Sequence, residues 1–92
     1  MPDQPFPYQP GAMLHEAIVG AFRARGANFE VWITEHGITP ASARAATFGQ
    51  SRGPTGSNLL ARLIEAAGPD VVRAAYYRRM REHMDEVEEA RP

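Results

Sequence analysis

The chain contains no cysteine. Disulfides, zinc–thiolate sites and thiol nucleophiles are thereby excluded. It also contains no lysine, and all ten basic residues are arginine. Every cationic contact it can make is a planar fork of donors suited to phosphate and to the edge of guanine. No apolar run approaches the roughly 18 residues that a membrane span needs. The opening MPDQPFPYQP has neither the basic nor the apolar region of a secretory signal. A cytoplasmic location without a membrane partner is therefore expected. At 92 residues the chain offers one small domain, too short for a doubly wound sheet or a β/α barrel.

Hydrophobic residues make up 43% of the sequence, enough for one core. The net charge of −1 hides an uneven distribution. Residues 1–37 carry −2, residues 38–81 carry +5, and residues 82–92 carry −4. The net charge by itself suggests no nucleic-acid partner and the arginine and alanine bias follows from a GC-rich genome, but a basic middle between acidic ends is a clue worth following.

Four of the eight prolines lie in residues 1–11. Proline removes backbone donors, so this segment reads as a Pro-rich flexible arm that Phe6 and Tyr8 could dock. From residue 12 the apolar spacing is helical. Leu14, Ile18, Ala21 and Phe22 mark a first helix, ended by Gly26. Phe29, Trp32, Ile33 and His36 mark a second, with Asn28 as N-cap and Gly37 as its stop. Thr39 and Pro40 launch a third that runs to Gly49, with a thin stripe of Ala43, Ala46 and Thr47. GQSRGPTG at 49–56 reads as an exposed loop. Ser57 then caps a fourth helix carrying Leu60, Leu63, Ile64 and Ala67. After Gly68-Pro69 a fifth runs to about residue 89. Period-two alternation is missing, so the predicted fold is an all-α, five-helix domain. Its core is expected around Leu14, Ile18, Phe22, Phe29, Trp32, Ile33, Ile38, Leu60, Leu63 and Ile64.

Residues 12–68 form the expected core domain and residues 69–90 a C-terminal amphipathic helix. The stripe Val72, Tyr76, Met80, His83 and Val87 is expected to join two copies as a homodimer. Arg78–Glu82 and Arg81–Asp85 are spaced for pairing one helix turn apart. The acidic C-terminal end also offers a surface to a protein partner.

The stretch from Asn28 to Gly49 carries the functional signal. Two short helices meet at a glycine, followed by an apolar plug (Ile38) and a Thr-Pro cap. That is the layout of a helix-turn-helix, which holds one helix clear of the core for the major groove. EHGITPASARAA resembles the E-H-G-L-S-P-S-T-L-R-N-A pattern of the Ner-like regulators of Mu-type transposable phages. These belong to the lambda-repressor/Cro-like class of small helical DNA-binding domains. The likeness covers roughly residues 13–68. It departs at Ile33, where a small residue is usual, and at Ala43, where a larger aliphatic is usual.

The resemblance implies a sequence-specific regulator of phage or mobile-element type that binds double-stranded DNA. By position, Thr39 would meet a phosphate, and Ala41, Ser42, Arg44 and Ala45 would form the reading face. Arg44 is the residue suited to guanine, while the two alanines suit thymine methyls. Gln50, Ser51 and Arg52 would reach the backbone or an adenine edge, and Ser57 and Asn58 a second phosphate.

Other chemistries find little support. His15, His36 and His83 each neighbour a glutamate, but adjacent helical residues diverge and make no metal site. Ser42, Ser51 and Ser57 have no histidine–aspartate partner arrangement. GQSRGPTGS lacks the lysine and preceding strand of a phosphate loop. No cofactor and no catalysis are expected. Two other functions share the features: a DNA-packaging subunit like a small terminase, and a protein-interaction adaptor working through the fifth helix.

Overall fold

The computed structural model describes residues 8–50 and 53–89. Five helices follow one another: α1 (Ala12–Ala24), α2 (Phe29–Glu35), α3 (Pro40–Thr47), α4 (Pro54–Ala67) and α5 (Pro69–Glu89). The described residues contain no strand. The all-α, five-helix reading holds.

The helix ends are made by local chemistry. Asn28 Oδ1 accepts the backbone amides of Glu30 and Val31, at 2.9 and 3.1 Å, and starts α2. Thr39 Oγ1 accepts the Ser42 amide at 3.1 Å, and Pro40 occupies the first turn of α3. Both oxygens satisfy amides that a helix start leaves orphaned. Three helices stop in the same way. After α1, Gly26 takes φ 77° and the Ala27 amide reaches back to the Phe22 carbonyl at 2.9 Å. After α2, Gly37 takes φ 71° and the Ile38 amide reaches Ile33 at 2.8 Å. After α3, Gly49 takes φ 81° and the Gln50 amide reaches Ala45 at 2.8 Å. Each is a Schellman ending, and the left-handed residue is glycine because a Cβ would be strained there.

The core places α1 at the centre. Leu14, Ile18 and Phe22 are fully enclosed, together with Ile33, Ala43, Leu63 and Val72. Ile33 and Ala43 thus find room in one interior although their bulk is exchanged relative to the resembled pattern. Phe22 meets Phe29 edge-on at 5.7 Å and also packs beside Trp32 at 5.7 Å. Trp32 and Ile38, expected in the interior, sit half-buried at its edge. Trp32 stacks on His36 with ring centroids 3.9 Å apart, and the His36 imidazole bonds the Trp32 carbonyl at 2.8 Å.

Four sequence expectations are corrected. The fourth helix begins at Pro54 and its cap is Gly53, four residues before the expected cap Ser57. Proline at the first helical position needs no amide partner, and Gly56, read as loop, is buried in the first turn.

The second correction concerns α5. Val72, Ala75 and Tyr76 are buried in their own protomer, and Met80 packs against the same core. Val72 and Tyr76 therefore do not form a seam between copies, and Met80 stays half-buried at the edge of that core. Ala17, Gly20, Ala21 and Ala24 give α1 a second face of small residues, and Ala21, Ala24 and Gly20 share a hollow with Val71, Ala74 and Ala75 of α5. Small residues let two helices approach closely, and the buried stripe of α5 is used up there. His83 and Val87 remain exposed.

Third, the end of the Pro-rich arm is docked. Tyr8 packs edge-on against Tyr76 at 4.9 Å, and the Gln9 amide donates to the Tyr76 hydroxyl at 3.0 Å. The Gly11 amide donates to the Thr47 carbonyl at 2.9 Å. Residues 8–11 thus strap the end of α3 to α5. Phe6 lies outside the described residues.

Fourth, the expected pairs Arg78–Glu82 and Arg81–Asp85 do not close. Arg79 instead pairs across helices with Glu16 of α1 at 3.7 Å.

Candidate nucleic-acid interface

Helix α3 buries Ala43, Ala46 and Thr47 and turns its opposite side outward. Ala41, Ser42 and Arg44 are exposed and Ala45 is half-buried. The result is a ridge of small residues with little side-chain bulk between its backbone and solvent. The Thr39 hydroxyl is committed to the helix start: it accepts the Ser42 amide and donates to Ser42 Oγ at 2.9 Å. Proline has no amide and the Ser42 amide is taken, so the Ala41 amide is the open donor of the first turn.

An arginine stands on each side of this ridge. On one side Arg44 lines a hollow of about 290 Å³ with His15, Val19 and Arg23 of α1, Asn28, Phe29, Glu30 and Ile33 at α2, and Pro40. On the other side Gly37, Ile38, Thr39 and Ser42 share a hollow with Thr55, Asn58, Leu59 and Arg62 of α4. Asn58 and Arg62 are one turn apart on α4, both exposed. Arg62 was not singled out from the sequence, and its spacing of four from Asn58 was the available signal.

His15 links α1 to the back of α3. Thr47 Oγ1 donates to the Arg44 carbonyl at 3.2 Å, so it accepts from His15 Nδ1 at 2.9 Å. The neutral ring therefore carries its proton on Nδ1. The ring packs edge-on with Phe29 at 5.6 Å and lies 4.8 Å from Phe48. Burial, and next the positive charge of Arg44, hold the imidazole below its ordinary pKa, with Glu16 pulling the other way. Burial likewise pushes the Tyr8 hydroxyl upward, against the influence of Arg73.

The sequence-predicted residues do not all meet. Thr39, Ser42 and Asn58 come together beside Arg62, and Ala41, Ala45 and Arg44 complete the outer face of α3. Ser57 goes elsewhere. Because α4 starts early, Ser57 is past the first amides of that helix and lines a hollow with Pro10, Phe48 and Gly49. Neither it nor Asn58 is at the helix N-terminus, so the open amides expected there to meet a second phosphate are absent from both positions. Gln50 is exposed and its amide closes the end of α3. Ser51 and Arg52 lie outside the described residues.

Among the described residues no helix is long and apolar enough to cross a membrane. No family model, no curated protein and no solved structure matches the chain.

Proposed function

We propose that this chain is a sequence-specific double-stranded DNA-binding protein, a cytoplasmic regulator of transcription of phage or mobile-element type, with α3 as the helix that enters the major groove. The observation that carries the reading is the outer face of α3. A ridge of small residues, Ala41 and Ala45, runs between Arg44 on one flank and Arg62 on the other. The major groove is wide enough to admit one helix, and its floor offers paired acceptors on guanine and a methyl on thymine. Small residues allow the α3 backbone to approach that floor. In this reading Arg44, on the helix itself, meets a guanine, and Arg62, on the neighbouring α4, meets a phosphate.

The Ala41 amide at the start of α3 adds a donor for a phosphate oxygen. The resemblance of EHGITPASARAA to the Ner-like pattern supports the same assignment, as does the Asn28 and Thr39 capping that fixes α2 and α3 around Gly37. A homodimer would let two α3 helices address half-sites about one turn of DNA apart.

Selection from random duplexes tests the reading. The parent should enrich a defined site and bind it far more tightly than bulk duplex. Absence of duplex binding even at low salt, where phosphate contacts are strongest, would overturn it.

A further inference from the structure

We propose that the outer face of the C-terminal half of α5 pairs, antiparallel, with the same face of a second copy of this chain. Of the stripe first read from the sequence, Val72 and Tyr76 are taken by the core, while Met80 and Val87 belong to the face left free. With Val72, Ala75 and Tyr76 turned to the core and Val71 exposed near the start of α5, the apolar residues beyond Tyr76 are Tyr77, Met80, Met84 and Val87. Their spacing of three, four and three is that of the a and d positions in a two-helix seam. Tyr77, Met84 and Val87 are 41%, 58% and 50% exposed, and Met80 is half-buried. Every residue from Arg81 to Glu89 is exposed, so the last turns of α5 stand clear of the globule. A free helical end of this length is marginal in water, and a matching helix alongside it supplies the missing burial.

The charges select the occupant and its direction. Residues 73–81 carry four arginines and no acid, and residues 82–89 carry five acids and no arginine. A parallel pair would lay acidic block against acidic block. An antiparallel pair lays each basic block against the acidic block of its partner, which is the complementary arrangement. With the two-fold axis at residue 82, Tyr77 faces the partner's Val87 and Met80 faces the partner's Met84. That register makes four apolar layers. It also puts Arg81, which flanks the seam, within reach of the partner's Glu88, because helical side chains lean toward their own N-terminus and these two lean toward each other.

Sedimentation velocity of the full chain, without DNA, over a wide concentration range tests the pairing independently of any DNA activity. The parent should pass from 10.1 kDa to twice that mass. Met84→Glu changes an exposed position, so helicity at low concentration should stay at the parent level while the dissociation constant rises tenfold or more. Arg81→Glu and Glu88→Arg should each weaken pairing several-fold, and the two together should restore it, since the antiparallel contact is then rebuilt with its signs exchanged. A parent that stays at one mass at every concentration overturns the proposal. So does a monomer whose melting temperature falls with Met84→Glu, because the chain's own residues 1–7 would then be the cover. Association that all these variants leave untouched, or a double variant weaker than either single one, would place the seam elsewhere or in the parallel direction.

Discussion

Arg44 and Arg62 line separate hollows on opposite flanks of α3, and under the proposed DNA reading they should fail differently when removed. Arg44→Ala should cost about 1–3 kcal/mol on the selected duplex and relax base preference at one position. Arg62→Ala should weaken selected and random duplexes alike and lower the slope of log affinity against log salt by about one. Equilibrium titrations across a salt series separate the two, and equal loss on both substrates from Arg44→Ala would remove it from base reading. His15 gives the fold a pH dependence of known sign. Its folded pKa lies below the value of the open chain, so the unfolded state takes up the proton first. Stability is therefore full above the ordinary histidine range near 6.5 and declines as pH falls through it. Melting curves from pH 8 to pH 5 should show this decline, and His15→Gln should flatten it. At this scale the sequence was readable where a residue acts on its own backbone. Thr39, Asn28 and Gly37 were recognisable because caps and stops are local. Arg62 was not, since an arginine on a polar helix face looks like a solvated charge until α3 is laid beside it.

The helices owe their limits to a few atoms, and their sensitivities follow. Asn28→Ala and Thr39→Ala should each cost about 1 kcal/mol of stability through the lost cap. Gly37 and Gly49 share a backbone conformation but not surroundings. A Cβ on Gly37 meets nothing within 4 Å, whereas one on Gly49 comes to 3.0 Å from Pro10 Cβ. Gly37→Ala should thus lose only the conformational term, roughly 1 kcal/mol, and Gly49→Ala more than that, with chemical denaturation as the measure. Equal losses would mean that the 8–11 strap does not press on α3 in solution. The expected start of α4 at Ser57 erred because a glycine- and proline-rich run has the composition of a loop; only the position of Pro54, first in a helical turn, marks it as helix. The face of α5 was misread for a different reason. Periodicity shows that a stripe exists but not which neighbour takes it, and the complement lay in Ala17, Gly20, Ala21 and Ala24, whose small size reads as weak hydrophobicity.

Across the whole molecule the strap at residues 8–11 joins elements that are distant in the chain. A proline-rich arm with two aromatics reads as a segment whose removal leaves the fold intact. The Tyr8–Tyr76 contact, the bond from Gln9 to the Tyr76 hydroxyl and the seat of Pro10 at Gly49 give the opposite expectation. An aromatic pair of this kind contributes about 0.5–1.5 kcal/mol beyond its buried area, and in a domain of this size each kcal/mol moves the melting temperature by roughly 4–8 °C. Deleting residues 1–10 should therefore lower the melting temperature by several degrees, and Tyr8→Ala should reproduce most of the drop. An unchanged melting temperature in both would leave the strap without energetic weight.

The stack of Trp32 on His36 has an optical consequence. The chain has one tryptophan, and that indole sits at the bend between α2 and α3, remote in sequence from the exposed last turns of α5. Its emission is a native, label-free report on α2 and its packing against Phe22 and His36, while far-ultraviolet ellipticity sums over every helix. Warmed at high dilution, the two signals should part company: ellipticity declines first as the end of α5 frays, and the indole band shifts only when the corner opens. Raising the protein concentration should bring the curves back together. Under the proposed DNA reading, the same emission band would follow a duplex arriving at α3 with no dye attached to either molecule.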